Sequence, residues 1–202
     1  MSEETTTASA RKIELLEAAY RYSLAHGLAG LSLRPLAAAI GSSPRVLMFL
    51  FGNKDGLLQE LLARARVDEL AVLGHIQAAS NTTAIGLTAA IERVWAWLAA
   101  DEHRQLLKLW AEAYARSLIE PDGVWGGFAA TTVSDWLAVL AACQPPRERD
   151  SEEGSARRTL ALAILRGALL DLLATEDHDR VTAAVHHQLA LFQNRHAAVP
   201  RP

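Results

Sequence analysis

The chain has 202 residues, half of them hydrophobic and 21% charged, with a formal net charge of −3, so it is long enough to bury a substantial core in one large domain or two small ones. No apolar run reaches the roughly 18–20 residues of a membrane span: the longest, 133–143 and 159–173, are interrupted by Asp135 and by Arg166 and Asp171. The one cysteine, Cys143, excludes an intrachain disulfide framework and a multi-cysteine zinc site, which with the polar, signal-free start MSEETTTASARK fits a reducing cytoplasm.

Residues 1–8 read as a disordered lead. The spacing then predicts a helix over 9–26, with Ile13, Leu16, Ala19, Tyr20, Ser23 and Leu24 tracing one face. The stretch from Gly27 to Leu58 is the most informative part of the chain. Ser32 is placed to cap a short helix whose Leu33, Leu36, Ala37 and Ile40 fall at helical spacing. Gly41 ends it, because glycine takes the left-handed conformation without a Cβ clash. Ser43 caps a second helix, with Pro44 at its first position and an apolar face of Val46, Leu47, Leu50 and Phe51. Two short helices around a glycine-containing turn form the helix-turn-helix pattern, whose second helix can enter the DNA major groove. Asn53 caps a further helix, with Leu57, Leu58, Leu61 and Leu62 on one side, running toward Leu73 as a link between two halves.

Gly74 and the polar 78–83 mark a connection, and no convincing strand follows. Helices are expected over 83–100, 102–119 with Asp101 as its cap, 121–143 weakened at its start by Gly123, Gly126 and Gly127, 155–175 and 180–196. The 144–154 segment QPPRERDSEEG reads as a loop, 176–179 as a turn and the final HAAVPRP as a frayed tail. The expected fold is therefore all-α: a three-helix DNA-binding domain with its linking helix over 9–70, then a larger helical domain over 71–202.

Gly27, Ser32, Arg34, Leu36, Ala37, Gly41, Ser43, Leu47, Phe51, Lys54, Leu57 and Leu58 together resemble the TetR family of bacterial transcription regulators. The resemblance covers about the first third of the chain, 11–70. It implies a repressor released from a near-palindromic operator by a small apolar or amphipathic effector, acting as a homodimer. The family usually places an aromatic hydroxyl or a histidine where this chain has Met48, Phe49 and Leu50, so the segment SPRVLMFLF keeps a single charge, Arg45. The rest of the chain matches in architecture only.

Charge supports the same division. Residues 1–66 carry eight Lys/Arg against six Asp/Glu, a net +2, and 67–202 carry twelve against seventeen, a net −5. Positive charge accompanies the motif, as phosphate neutralisation requires. Arg45 is the candidate base reader, since a guanidinium can bond guanine O6 and N7 together. Ser43, Pro44, Met48 and Phe49 share the groove-facing side, where Phe49 can pack on a thymine methyl. Ser32, Arg34 and Lys54 are candidates for phosphate contacts, Ser32 and Lys54 because they lie at helix N-termini.

In the second half, all five tryptophans lie between residues 95 and 136. Trp95, Trp110, Trp125 and Trp136, with Tyr114, Phe128, Leu107 and His103, are candidates to line an effector pocket. Leu160, Ile164, Gly167, Leu170, Val185 and Leu189 are candidates for the dimer interface, because the last two long helices are apolar nearly all round. No cofactor or metal site is expected: His186 and His187 are adjacent and diverge on a helix. No Ser-His-Asp, HExxH or Gly-rich phosphate motif points to an enzyme. The alternative is a helical dimer that serves as a protein-interaction module with lost or weak DNA binding, motivated by the apolar second helix of the motif.

Overall fold

The structure is a computed structural model that describes residues 2–28, 30–78 and 85–197, and among these every regular element is helical. In chain order the helices are α1 (Ser2–His26), α2 (Leu33–Ala39), α3 (Pro44–Phe51), α4 (Lys54–Ala78), α5 (Leu87–Leu98), α6 (Arg104–Ile119), α7 (Phe128–Cys143), α8 (Pro146–Arg149), α9 (Glu152–Thr175) and α10 (His178–Ala197), with a 3₁₀ turn at Asp101–His103 between α5 and α6. They form two compact units, one of residues 1–70 with 105–129 and one of 71–104 with 130–202. The expected boundary at 70 and 71 followed the chain. In space, 105–129 joins the first unit, because Leu109, Ala113 and Trp125 are buried in its core.

Several local signals act as read. Gly41 has φ +65°, Pro44 opens α3, and Asn53 Oδ1 accepts the Gly56 N–H at 2.7 Å at the start of α4. Other boundaries differ. Helix α1 continues back to Ser2 through a stretch without Gly or Pro to stop it. Helix α5 starts only at Leu87, after Gly86 with φ +83°. The expected connection at 78–83 falls at the end of α4 and beyond it, and 79–84 lie outside the described residues, as does the tail from 198. Asp101 does not cap α6 but pairs with the Arg104 guanidinium at 2.6 Å.

The opening of the expected 121–143 helix is instead a series of turns, and α7 begins at Phe128. Its geometry admits glycine alone: a Cβ on Gly126 would lie 2.4 Å from the Pro121 carbonyl oxygen. In the loop expected at 144–154, Pro146–Arg149 forms the short α8, and Ser151 caps α9 by accepting the Gly154 N–H at 3.0 Å. Helix α10 starts at His178, after Glu176 turns the chain with φ +57°.

The core of the first unit collects Leu15, Ala19 and Tyr20 of α1, Leu36 and Ala37 of α2, Leu47 and Phe51 of α3, and Leu57, Leu58, Leu61 and Leu62 of α4. On α1 the inward face is centred on Leu15, Ala19 and Ser23 rather than on Ile13, which is 61% exposed. Polar ties join α1 to α4. Lys12 pairs with Glu60 at 2.7 Å, Arg64 bridges Glu17 and Asp68, and the Tyr20 hydroxyl donates to Asp68 at 2.9 Å. Burial, reinforced by the Asp68 carboxylate, pushes the Tyr20 hydroxyl well above its ordinary range.

Helix α6 closes the first unit. Its Glu112 accepts the Leu28 N–H at 2.8 Å, at the turn that leaves α1, and Gly27 there has φ +76°. A Cβ on Gly27 would sit 3.3 Å from Glu112 Oε2. In the second unit α5, α9 and α10 pack on one another through Ile91, Val94, Trp95, Ala161, Leu165, Val181, Val185 and Leu189. Arg180 forks onto Asp171 at 2.7 and 2.8 Å, tying α10 to α9 and holding the Asp171 carboxyl below its ordinary range.

Two stability predictions follow from the first unit. Gly27→Ala should lower the unfolding free energy by about 1–2 kcal/mol, because the left-handed backbone strains any side chain there. Gly74→Ala, toward the end of α4 in the second unit, where a Cβ meets open space, should raise it by up to about 1 kcal/mol. Urea titrations of the two variants measure the contrast; equal midpoints would contradict the strained turn. The second concerns pH. The unfolded chain ionises Tyr20 near pH 10 while the folded chain keeps its proton. The folded state then binds more protons, so this contribution is complete below about pH 10 and is lost as pH rises further. Urea midpoints from pH 8 to 11 should fall less steeply for Tyr20→Phe than for the parent chain.

Candidate nucleic-acid interface

Helix α3 is placed by two side chains. Leu47 and Phe51, one turn apart, are 1% and 7% exposed and anchor it in the core of the first unit. Everything a turn away must then point outward. Arg45 is exposed, Met48 is 50% exposed and Phe49 is 83% exposed. Val46, expected on the buried face, lies at its edge and is 38% exposed. Ser43 fixes the start of the helix, its hydroxyl accepting the Val46 N–H at 3.3 Å, and Pro44 beside it is half-buried.

The other expected DNA-facing residues lie on neighbouring elements of the same unit. Ser32 and Arg34 are exposed at the start of α2, and Lys54 is exposed at the start of α4. Ser32 occupies the N-cap position with extended backbone, but its hydroxyl does not close the cap. It is an exposed hydroxyl beside helix amides rather than the structural cap expected from sequence. Arg11, Lys12 and Arg64 are engaged by carboxylates. Arg34, Arg45 and Lys54 have no ion-pair partner among the described residues. From Gly27 to Asn53 the sequence contains no Asp or Glu at all. The surface offered by α2, α3 and the start of α4 is cationic and apolar, with Asp55, next to Lys54, as the acid of those turns. Fixed cations beside helix N-terminal amides attract phosphate, and an exposed arginine on a groove-sized helix suits base edges.

The aromatic residues expected to share one pocket divide between the two units. Trp125 is buried in the core of the first unit beneath the Arg116 guanidinium, which lies 5.6 Å from its ring, and Phe128 packs against that core. Trp110 and Tyr114 meet at 5.0 Å on α6 in the same unit, where Leu107 is buried. In the second unit, Trp95 donates its Nε1–H to Thr182 at 3.1 Å, His103 stacks on Trp97 at 4.1 Å, and Trp136 is buried on α7. One turn before Trp136, Thr132 is 2% exposed with its hydroxyl unpartnered. Sequence reasoning missed both Thr132 and the Glu112 tie to Leu28, because neither residue belongs to a local motif.

The expected interface residues also divide. Val185 and Leu189 are 1% and 3% exposed inside the second unit, so they have no surface left for another chain. Ile164 is partly buried beside them. Leu160 and Leu170 are 48% and 53% exposed, and Gly167 lies between them with open space at its Cβ position. The α9 face turned to the core is instead Ala161, Leu162, Leu165, Leu169 and Leu172.

Residues 15–61 match the model of a family described as bacterial regulatory proteins, tetR family. A search of the curated proteins gives no match. Among solved structures, a transcriptional regulator from Rhodococcus sp. Rha1 aligns with a TM-score of 0.71 at 20% identity, covering 94% of this chain and 99% of that one. The multidrug binding protein EbrR complexed with imidazole aligns with a TM-score of 0.63 at 25% identity, covering 96% and 92%. EbrR complexed with proflavin aligns with a TM-score of 0.60 at 23% identity, covering 88% and 98%. The outward helix α3, the sequence match across the helices that hold it and the fold shared over nearly the whole chain lead to one conclusion: residues 15–61 form a helix-turn-helix domain of the tetR-family kind, in a chain whose all-helical fold is similar to that of these regulators.

Proposed function

We propose that the chain is an effector-controlled repressor that binds a near-palindromic operator as a homodimer in the cytoplasm. The observation that carries the DNA part is the outward face of α3, with Arg45 free to read guanine and Arg34, Lys54 and the Ser32 hydroxyl free to hold phosphates. Arg45→Ala is expected to remove sequence preference, at about 1–3 kcal/mol for the lost bidentate contact. Lys54→Ala is expected to weaken all duplexes alike and to reduce the slope of log K against log salt by about 0.9. Fluorescence anisotropy with a labelled duplex from the flanking intergenic DNA measures both. Absence of salt-sensitive binding at low ionic strength would remove the DNA-binding reading.

Dimerisation is supported by the outward stripe of α9. Ala156, Leu160, Ala163, Gly167, Leu170 and Ala174 are all exposed and recur at alternating steps of four and three, the spacing of a helix-pairing seam. An open groove along this helix is lined by Ala156, Thr159, Leu160 and Ala163. A two-fold pairing through α9, with the outward Ala183, His187 and Ala190 of α10 beside it, buries this stripe and doubles the DNA contact. Leu160→Asp with Leu170→Asp should convert dimer to monomer in analytical ultracentrifugation while leaving the helical circular-dichroism signal unchanged. A monomeric parent chain would overturn this assignment.

The effector reading rests on the buried, unpartnered Thr132 hydroxyl beside Trp136, a polar point in an apolar surround of the kind that orients small ligands. EbrR, of similar fold, is complexed with imidazole in one structure and with proflavin in another. An effector that binds the DNA-incompetent state better weakens duplex binding, and the duplex weakens effector binding by the same factor. A panel of amphipathic aromatic compounds beginning with proflavin tests for this reciprocity; a panel with no such member contradicts effector control. The 83% exposure of Phe49 also favours the second reading, a protein-interaction module. In that case Arg45→Ala would leave partner binding unchanged.

A further inference from the structure

The outward face of α3 is unusual in being apolar as well as cationic. A phenylalanine 83% exposed, beside a methionine 50% exposed, leaves hydrophobic surface in water on a helix only eight residues long. The side chains are held there by the core: Leu47 and Phe51 fix the rotation of α3, so Met48 and Phe49 cannot turn inward. What covers them must be apolar at the point of contact and anionic around it, because the surrounding turns carry Arg34, Arg45 and Lys54 against one acid, Asp55, and none from Gly27 to Asn53. The major groove of a duplex meets that description. It is lined by phosphates, and the C5-methyl of thymine is its apolar feature. A protein partner with an apolar patch meets only half of it.

We infer that Phe49, with Met48 beside it, reads a thymine methyl in the same half-site in which Arg45 reads guanine. This rests on the DNA-binding reading above and gives it a composition. Arg45 and Phe49 are four residues apart and share a face. Their Cα atoms are separated by about 6 Å along the helix. A duplex rises about 3.4 Å per base pair. The two contacts therefore fall within about two base-pair steps, and the half-site is a guanine with a thymine no more than two steps away.

The test begins with selection of duplexes from a random pool by the purified full-length chain, followed by replacement of each half-site thymine by deoxyuridine, which removes only the methyl. One position within two steps of the guanine should lose about fourfold in affinity, the equivalent of one buried methyl group. Phe49→Ala should bind the thymine and deoxyuridine duplexes equally, with unchanged circular dichroism because the residue is exposed. Salt-sensitive, selective binding that is indifferent to deoxyuridine at every position would overturn the inference and leave the DNA-binding reading standing. Failure to select any duplex would overturn both.

Discussion

The placement of α3 depends on one constraint, the burial of Leu47 and Phe51 together in the core of the first unit. Two side chains one helical turn apart fix the rotation of a short helix about its own axis, as a single anchor would not. That rotation is what makes Arg45, Met48 and Phe49 surface residues. Ser43 and Pro44 set where the helix begins, and Gly52, with φ +78°, lets the chain turn directly into α4. Burial of two large apolar side chains is worth several kcal/mol by area. It therefore outweighs the exposure of one phenylalanine, and the core decides which aromatic of α3 is left in water.

The same unit is completed from a distant part of the sequence. Helix α6 and the turns after it bring Leu109, Ala113 and Trp125 into the core, and Glu112 satisfies the Leu28 amide where α1 ends. A hydrogen bond to a charged acceptor is worth about 1.5–3 kcal/mol, enough to matter at a turn that already holds Gly27 in a left-handed conformation.

The local features of the fold were legible because each has a local cause. Gly41, Pro44, Ser43 and Asn53 act through their own backbone and their nearest amides, and all four do what their residue types dictate. Features that depend on tertiary packing were not legible. Helix α9 is apolar nearly all round, so periodicity alone does not say which side faces the core. The face with Leu160, Gly167 and Leu170 is outward, and Ala161, Leu165 and Leu169 take the interior. Val185 and Leu189 were misassigned to an interface for the same reason. The tryptophans cluster in sequence between 95 and 136 but belong to different units, as α6 and α7 largely do. Ser32 shows the limit of residue type: the backbone is in cap geometry and the hydroxyl is not used.

The central claim is that the outward face of α3 docks on duplex DNA. Amide hydrogen exchange of the full-length chain, with and without a selected duplex, tests it without altering a side chain. The account predicts slowed exchange concentrated in 43–54, with the start of α2 following. Protection confined to α9 and α10, or none in 43–54 at saturating duplex, would contradict it.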